Sequence, residues 1–308
     1  MRAVLVKTFG GPETAEIAEI DLPEPGPGQV RIRNQALAVH PADLAVRAGF
    51  LAALLPEQPS YRLGWDTAGV VDALGEGVED LRVGDPVIGL THWFATRNGT
   101  HGDFAVLPAA TVAPAPAGLT AAEAATLPLN GLTALQALDL ADLGDGRTLL
   151  ITGAAGGLGH FATQLARYRG LRVIAVARAT DREELTSLGA EFVEAGDQAV
   201  ATVHRLAPGG VDAVLDTALT GAALLPAVRA DGVFLAVRPP AAPEPERGIR
   251  VLVVNVRPDG HQLGELTKLA EDGRLTTRIA AAFPLDQVAA AHAHAARPGV
   301  RGAVVLTP

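Results

Sequence analysis

The rhythm of apolar and polar positions changes near residue 119. Before it, short apolar runs are broken by Gly and Pro. Val4-Leu5-Val6 and Val30-Arg31-Ile32-Arg33 read as strands, joined by the turn-rich stretch Pro23-Glu24-Pro25-Gly26-Pro27-Gly28. The texture continues through 66–90, punctuated by Gly69, Gly75, Gly77, Gly84 and Gly89. An irregular, β-rich, barrel-like part is expected there. Beyond residue 119, apolar runs at Thr148–Thr152, Arg172–Ala177, Glu191–Glu194, Val211–Asp216 and 232–237 alternate with helical patterns. Leu158, Phe161, Ala162, Leu165 and Ala166 recur at helical spacing and predict a helix over 157–169. Thr120 with Glu123, and Thr180 with Glu183, have capping-box spacing, and Gly189 is placed to end the second of these helices.

Alternating helices and uninterrupted apolar strands imply a parallel sheet covered on both faces. The expected fold class is therefore α/β, with a Rossmann-type doubly wound parallel sheet over 119–257 and a β-rich domain over 1–118. The tail, 258–308, predicts a helix over 262–272, a strand near 276–283, a helix from Pro284 and a last strand over 302–306. The nucleotide domain already has its strands, so the tail is expected to pack back on the N-terminal domain. The apolar run 250–256 is expected to pair across a twofold axis and make a homodimer.

Composition narrows the function. A chain of 308 residues suits two domains, and 48% hydrophobic side chains exclude wholesale disorder. With 25 Lys and Arg against 34 Asp and Glu, the net charge is −9 and there is no basic run, so nucleic acid is not an expected partner. The absence of cysteine excludes disulfides, thiolate nucleophiles, iron–sulfur clusters and Cys-based zinc sites. No apolar stretch reaches the roughly 18–20 residues that span a bilayer, and the N-terminus lacks a signal-peptide pattern. A soluble, cytoplasmic protein with no membrane partner is expected. No Gly-x-Ser-x-Gly elbow supports a hydrolase.

The main chemical signal is Ile151-Thr152-Gly153-Ala154-Ala155-Gly156-Gly157-Leu158-Gly159, a glycine-rich turn between a strand and a helix. Gly156 would admit a diphosphate to backbone amides, and Gly159 would let the helix approach the sheet. The next strand ends at Arg178, where an NAD-binding chain usually has a carboxylate for the ribose hydroxyls. A guanidinium there can fork onto a 2′-phosphate, which favours NADPH. The alternative for Arg178 is a solvated loop charge.

These motifs resemble the medium-chain dehydrogenase/reductase superfamily. Gly64-Trp65-Asp66-Thr67-Ala68-Gly69, Gly75-Glu76-Gly77, Val83-Gly84-Asp85-Pro86-Val87-Ile88-Gly89, Leu127-Pro128-Leu129-Asn130-Gly131-Leu132-Thr133 and the closing Arg301-Gly302-Ala303-Val304-Val305-Leu306 carry the resemblance. Within the superfamily the chain is similar to the zinc-independent NADPH:quinone oxidoreductases, the zeta-crystallin-like branch. The resemblance implies a GroES-like catalytic domain from both chain ends, 1–118 and 258–308, and hydride transfer to a quinone or activated enone in an interdomain cleft. It also implies cofactor contacts from Thr133, Gly156, Gly157, Leu158, Arg178, Thr217, Val237 and Arg238. Zinc-dependent members carry Cys where this chain has His40, and His-Glu where it has Trp65-Asp66. His40 and Asp66 read as two scattered groups, too few for a tetrahedral site, so no metal is expected.

Zinc-free relatives usually have Asn-Pro-x-Asp where this chain has His40-Pro41-Ala42-Asp43. His40 is either a proton donor beside the nicotinamide or a buried, hydrogen-bonded histidine. Asp43 either holds His40 or caps a helical turn. Tyr61 is a second proton-donor candidate and, with Trp65, a candidate wall for a flat acceptor. His92 and His101 read as solvated loop residues, and His292 and His294 as structural. The alternatives to a quinone or enone reductase are an enoyl-thioester or biosynthetic C=C reductase and, in another class, a non-catalytic NADPH-binding sensor.

Overall fold

The computed structural model describes residues 1–308. The chain divides into two compact units: Met1–Leu132 with Arg257–Pro308, and Thr133–Val256.

The first unit is β-rich. β1 (Arg2–Val6), β2 (Ala15–Glu19) and β4 (Tyr61–Arg62) form a three-stranded sheet in the order β2-β1-β4. The larger sheet is organised by β3 (Gln29–Val39), which is much longer than the four residues expected from sequence. Val30, Ile32 and Asn34 alternate inward with period two, and 36–39 are buried on both faces, so pairing continues up to His40. β5 (Asp66–Leu74) and β7 (Phe104–Pro108) flank β3 antiparallel, and β6 (Pro86–Leu90) and β8 (Val112–Pro114) extend the sheet beyond β5. Three short helices decorate this unit: α1 (Pro41–Arg47), α2 (Trp93–Thr96) and α3 (Ala121–Ala124). The Thr120 capping box before α3 forms as expected: Thr120 N donates to Glu123 Oε2 (2.8 Å), and Glu123 N donates back to Thr120 Oγ1 (3.3 Å). α4 (Pro128–Ala141) contains the division between the units.

The second unit is a six-stranded parallel sheet built from β9 (Thr148–Thr152), β10 (Arg172–Ala177), β11 (Glu191–Glu194), β12 (Val211–Asp216), β13 (Val228–Ala236) and β14 (Arg250–Val253). The first four coincide with the apolar runs in the sequence. β13 begins earlier than the expected 232, and β14 stops at Val253 and lies parallel to β13 at the sheet edge. The order β11-β10-β9-β12-β13-β14 reads 3-2-1-4-5-6 when β9 is counted first, the doubly wound dinucleotide-fold order. α5 (Gly157–Tyr168), α6 (Arg182–Ser187) and α7 (Ala199–Leu206) connect strands. α6 departs from expectation. A 3₁₀ turn over Ala179–Asp181 displaces its start, and Asp181, not Thr180, occupies the N-cap. Buried Asp181 faces Arg178 at 3.5 Å, which holds that extra turn. Leu150, Ile174, Val214 and Phe234 form the centre of one apolar layer, each contributing roughly 1.5–3 kcal/mol by burial.

The tail returns to the first unit. α8 (Gly260–Glu271) leads to β15 (Ile279–Pro284), α9 (Val288–Ala295) and β16 (Ala303–Thr307), and β16 pairs antiparallel with β3, with Val304 opposite Val39. No helix is long and apolar enough to cross a membrane.

Candidate active site

β3 delivers His40 to the start of α1. His40 is the N-cap and Pro41 takes the first helical position, where a missing amide proton costs nothing. Asp43, in the first turn, accepts from His40 N through Oδ2 (2.8 Å) and from Gly64 N through Oδ1 (2.8 Å). Asp43 therefore both caps the turn and ties it to the segment entering β5. Gly64 has φ +106°, and a Cβ there would lie 2.4 Å from His101 Cδ2 and 2.5 Å from His101 N. Only glycine lets the two segments meet this closely.

Asp66 opens β5, and its Oδ2 lies 2.5 Å from His40 Nε2. His40 is 3% exposed and Asp66 0%. The other carboxylate oxygen accepts from Leu129 N in the first turn of α4 (2.9 Å), and Thr100 Oγ1 donates to Asp66 O (2.6 Å). Burial alone pulls the His40 imidazole down, but the Asp66 charge and hydrogen bond outweigh it and hold His40 above its ordinary value. Burial pushes the Asp66 carboxyl up, more than the imidazolium and the Leu129 amide pull it down. The pair titrates as one unit that keeps a proton between its members. The sequence reading of His40 and Asp66 as scattered groups is thus corrected: the fold hydrogen-bonds them, with His40 Nε2 turned to the carboxylate. No group of three or more His, Asp or Glu side chains converges in a way that could hold a metal ion.

His101 is also not the solvated loop residue expected from sequence. It is fully buried, its Nε2 donates to Ala38 O (3.0 Å), and its Nδ1 lies 3.9 Å from Asp43 Oδ1. The cause is Asn34 on β3, whose amide donates to Thr100 O (3.0 Å) and Gly102 O (2.8 Å) and pins the polar segment to the sheet. His292 on α9 is fully buried as well, and neither ring nitrogen has a hydrogen-bond partner. Burial lowers it to about 4, so it is neutral at physiological pH.

Trp65 stacks on Trp93 (4.9 Å) and meets Phe94 edge-on (6.0 Å), while the Arg97 guanidinium lies over both Trp93 and Phe94. Phe94 is 44% exposed, whereas Trp65 and Trp93 are buried. Tyr61 lies elsewhere: its hydroxyl donates to Pro56 O (2.6 Å), its ring stacks on Phe9, and no hydrogen bond joins it to His40, Asp43 or Asp66.

In the second unit the sequence-derived cofactor residues share the carboxyl edge of neighbouring strands. The glycine turn follows β9, Arg178 follows β10, Thr217 follows β12, and Val237 and Arg238 follow β13. Gly156 caps α5, whose first turn contains Gly157 and Leu158. A Cβ on Gly159 would lie 2.3 Å from Gly153 O, so glycine is required for α5 to start so near the strand. Thr217 Oγ1 donates to Thr152 O (2.6 Å), and Asp216 accepts from Thr152 Oγ1 (2.6 Å). These bonds close β9 against β12, where the strand order reverses and ligands of such sheets bind. Arg178 is half exposed and pairs with Asp181. Thr133 lies in α4, four residues after Leu129. The turn, the helix N-terminus and the absence of a side chain at Gly159 fit the diphosphate of a dinucleotide.

Comparison with known proteins agrees with this architecture. A family model described as an alcohol dehydrogenase GroES-like domain matches residues 26–131, and one described as a zinc-binding dehydrogenase matches 188–306. A solved alcohol dehydrogenase superfamily protein from Novosphingobium aromaticivorans is 31% identical, covering 100% of this chain and 99% of its own, with a TM-score of 0.90. The chain belongs to the medium-chain dehydrogenase/reductase superfamily of oxidoreductases, whose fold binds a nicotinamide cofactor, and within it is quinone oxidoreductase-like. A chloroplast envelope quinone oxidoreductase homologue of Arabidopsis thaliana is 34% identical over 201 residues, 63% of this chain and 60% of that protein. A mycocerosic acid synthase-like polyketide synthase of Mycobacterium tuberculosis is 36% identical over 225 residues, 71% of this chain and 10% of that protein. Among solved structures, an NAD-dependent alcohol dehydrogenase is 31% identical, with full coverage of both chains and a TM-score of 0.86. A mycobacterial protein complexed with NADPH is 26% identical, again with full coverage of both chains and a TM-score of 0.84.

Proposed function

We propose that the protein is an NADPH-dependent, zinc-independent reductase of quinones or activated enones. The observation that carries this reading is the buried His40–Asp66 hydrogen bond in the β-rich unit, with the Asp66 carboxylate holding the imidazole above its ordinary value. When bound, the dinucleotide supplies the hydride. Gly156, Gly157 and Leu158 would hold its diphosphate, Arg178 its 2′-phosphate, and Thr133, Thr217, Val237 and Arg238 would orient the remainder. His40 holds the proton required by the oxyanion that develops on the acceptor, and Asp66 keeps that proton available by favouring the imidazolium. Asp43 fixes the backbone at His40 and Gly64, so the pair cannot drift. Phe94, the exposed ring of the aromatic cluster, offers apolar surface to a planar acceptor, while Trp65 is buried behind it. The unpaired edge of β14 supports a homodimer formed by strand pairing across a twofold axis.

A second reading, reduction of an enoyl thioester, is favoured by the similarity to polyketide synthases. Steady-state rates with NADPH against para-quinones, enones and a crotonyl thioester distinguish the two. Faster turnover of the quinones supports the first reading, and turnover of the thioester alone supports the second.

A further inference from the structure

A shallow, solvent-open concavity of about 520 Å³ lies on the first unit, and its lining includes Arg278, Arg297, Arg301 and His294, with no carboxylate among the lining residues. In a chain of net charge −9, three arginines and a histidine line this one concavity. The volume suits a ligand of nucleotide size, well beyond a single bound ion. Ile279 and Ala280 of β15 line it together with the turn from α9 into β16, which contains Gly299. Because β16 runs antiparallel to β3 with Val304 opposite Val39, this turn enters the sheet at the end where His40 leaves it.

The phosphates of the dinucleotide already have their cradle in the second unit, at the Gly156 turn and at Arg178. A cationic cavity in the first unit, at the His40 end of its sheet, is surplus to that need. We infer that it binds the phosphorylated end of a substrate, and specifically the nucleotide phosphates of a coenzyme A thioester whose acyl end reaches toward His40. This inference rests on the enoyl-thioester reading of the same site. Arginine suits the task because its planar fork makes paired, charge-assisted hydrogen bonds to phosphate oxygens.

The test separates binding from turnover. Coenzyme A, which carries no acyl group to reduce, is titrated calorimetrically into the NADPH-loaded full chain, alongside R297Q, R301Q and the charge-retaining R297K. The expected result is saturable binding that weakens with added salt, falls about tenfold or more in each Gln variant, and is better retained in R297K. NADPH affinity should change less than twofold in all three. In turnover, crotonyl-CoA should show a KM at least tenfold below that of the phosphate-free crotonyl N-acetylcysteamine thioester, and the Gln variants should erase the difference. Absence of coenzyme A binding overturns the inference, as does equal binding by wild type and both Gln variants. A parallel loss of NADPH affinity also overturns it, by assigning the cavity to the cofactor. If coenzyme A binds as expected while neither thioester is reduced, the cavity assignment stands and the thioester-reductase reading fails. Melting temperatures within a few degrees of wild type exclude misfolding as the cause.

Discussion

His40 Nε2 and Asp66 Oδ2 lie 2.5 Å apart in a region sealed from solvent, although 26 residues separate them along the chain. Each member raises the other's stakes. The hydrogen bond satisfies two polar groups that burial would otherwise penalise, and a proton shared across it makes each tolerable. H40N, which restores the residue usual in zinc-free relatives, should lower kcat by about 100-fold with little change in NADPH affinity. Unchanged kcat, read from initial rates with a para-quinone, would reduce His40 to a packing role.

Asp66 is a positioning residue for that proton, and its effect is read in pH dependence. In the proposed reaction protonated His40 is the active form, so the rate is expected to fall as pH rises through its titration. Asp66 holds that titration above the ordinary histidine range. D66N keeps the shape and removes the charge, so the fall in rate should move to lower pH. A pH–rate profile superimposable on wild type would contradict the assignment.

Arg178 stands at the end of β10, half exposed and paired with Asp181. R178A should weaken NADPH by about tenfold or more while changing NADH by less than threefold, since only NADPH carries the 2′-phosphate. Fluorescence titration of both nucleotides checks this, and equal losses would remove Arg178 from the phosphate site.

His292 predicts an acid sensitivity of the fold. Buried without a hydrogen-bond partner and lowered to about 4, it stays neutral in the folded chain while the unfolded chain takes up a proton near 6.5. Stability contributed by this group is therefore complete above about pH 6.5 and is lost as pH falls toward 4, by roughly 3 kcal/mol at most. Urea unfolding of wild type and H292L at pH 7.5 and pH 4.5 should show a shallower pH dependence in the variant. Parallel pH dependences would refute it.

Gly159 tests the close approach of α5 to β9. A Cβ there would sit 2.3 Å from Gly153 O, so G159A should destabilise the second unit by roughly 1–3 kcal/mol and weaken dinucleotide binding. An unchanged melting temperature and an unchanged NADPH affinity would show that the turn relaxes freely.

The dinucleotide sheet was legible in the sequence because its central strands β9, β10 and β12 are buried almost throughout, and burial on both faces leaves uninterrupted apolar runs. The glycine turn was legible because its chemistry is local. The His40–Asp66 pair was not, since it depends on β3 running eleven residues to His40 and on Asp66 opening a neighbouring strand. Asp66 could have been suspected from its place in Gly64-Trp65-Asp66, where zinc-dependent relatives carry a charged pair. His101 was misread because Gly, Thr and Asn around it resemble an exposed loop, and the amide of Asn34, more than 60 residues away, is what buries that loop. α6 starts later than the capping-box spacing of Thr180 and Glu183 predicts, because a 3₁₀ turn over Ala179–Asp181 precedes it and leaves Asp181 at the N-cap.

The most direct test is the initial rate of NADPH oxidation by purified, chelator-treated protein with a para-quinone, set beside NADH under the same conditions. The account predicts rapid NADPH oxidation, much slower NADH oxidation and no effect of the chelator. Loss of activity on chelation, or tight NADPH binding with no hydride passed to any acceptor, would contradict it.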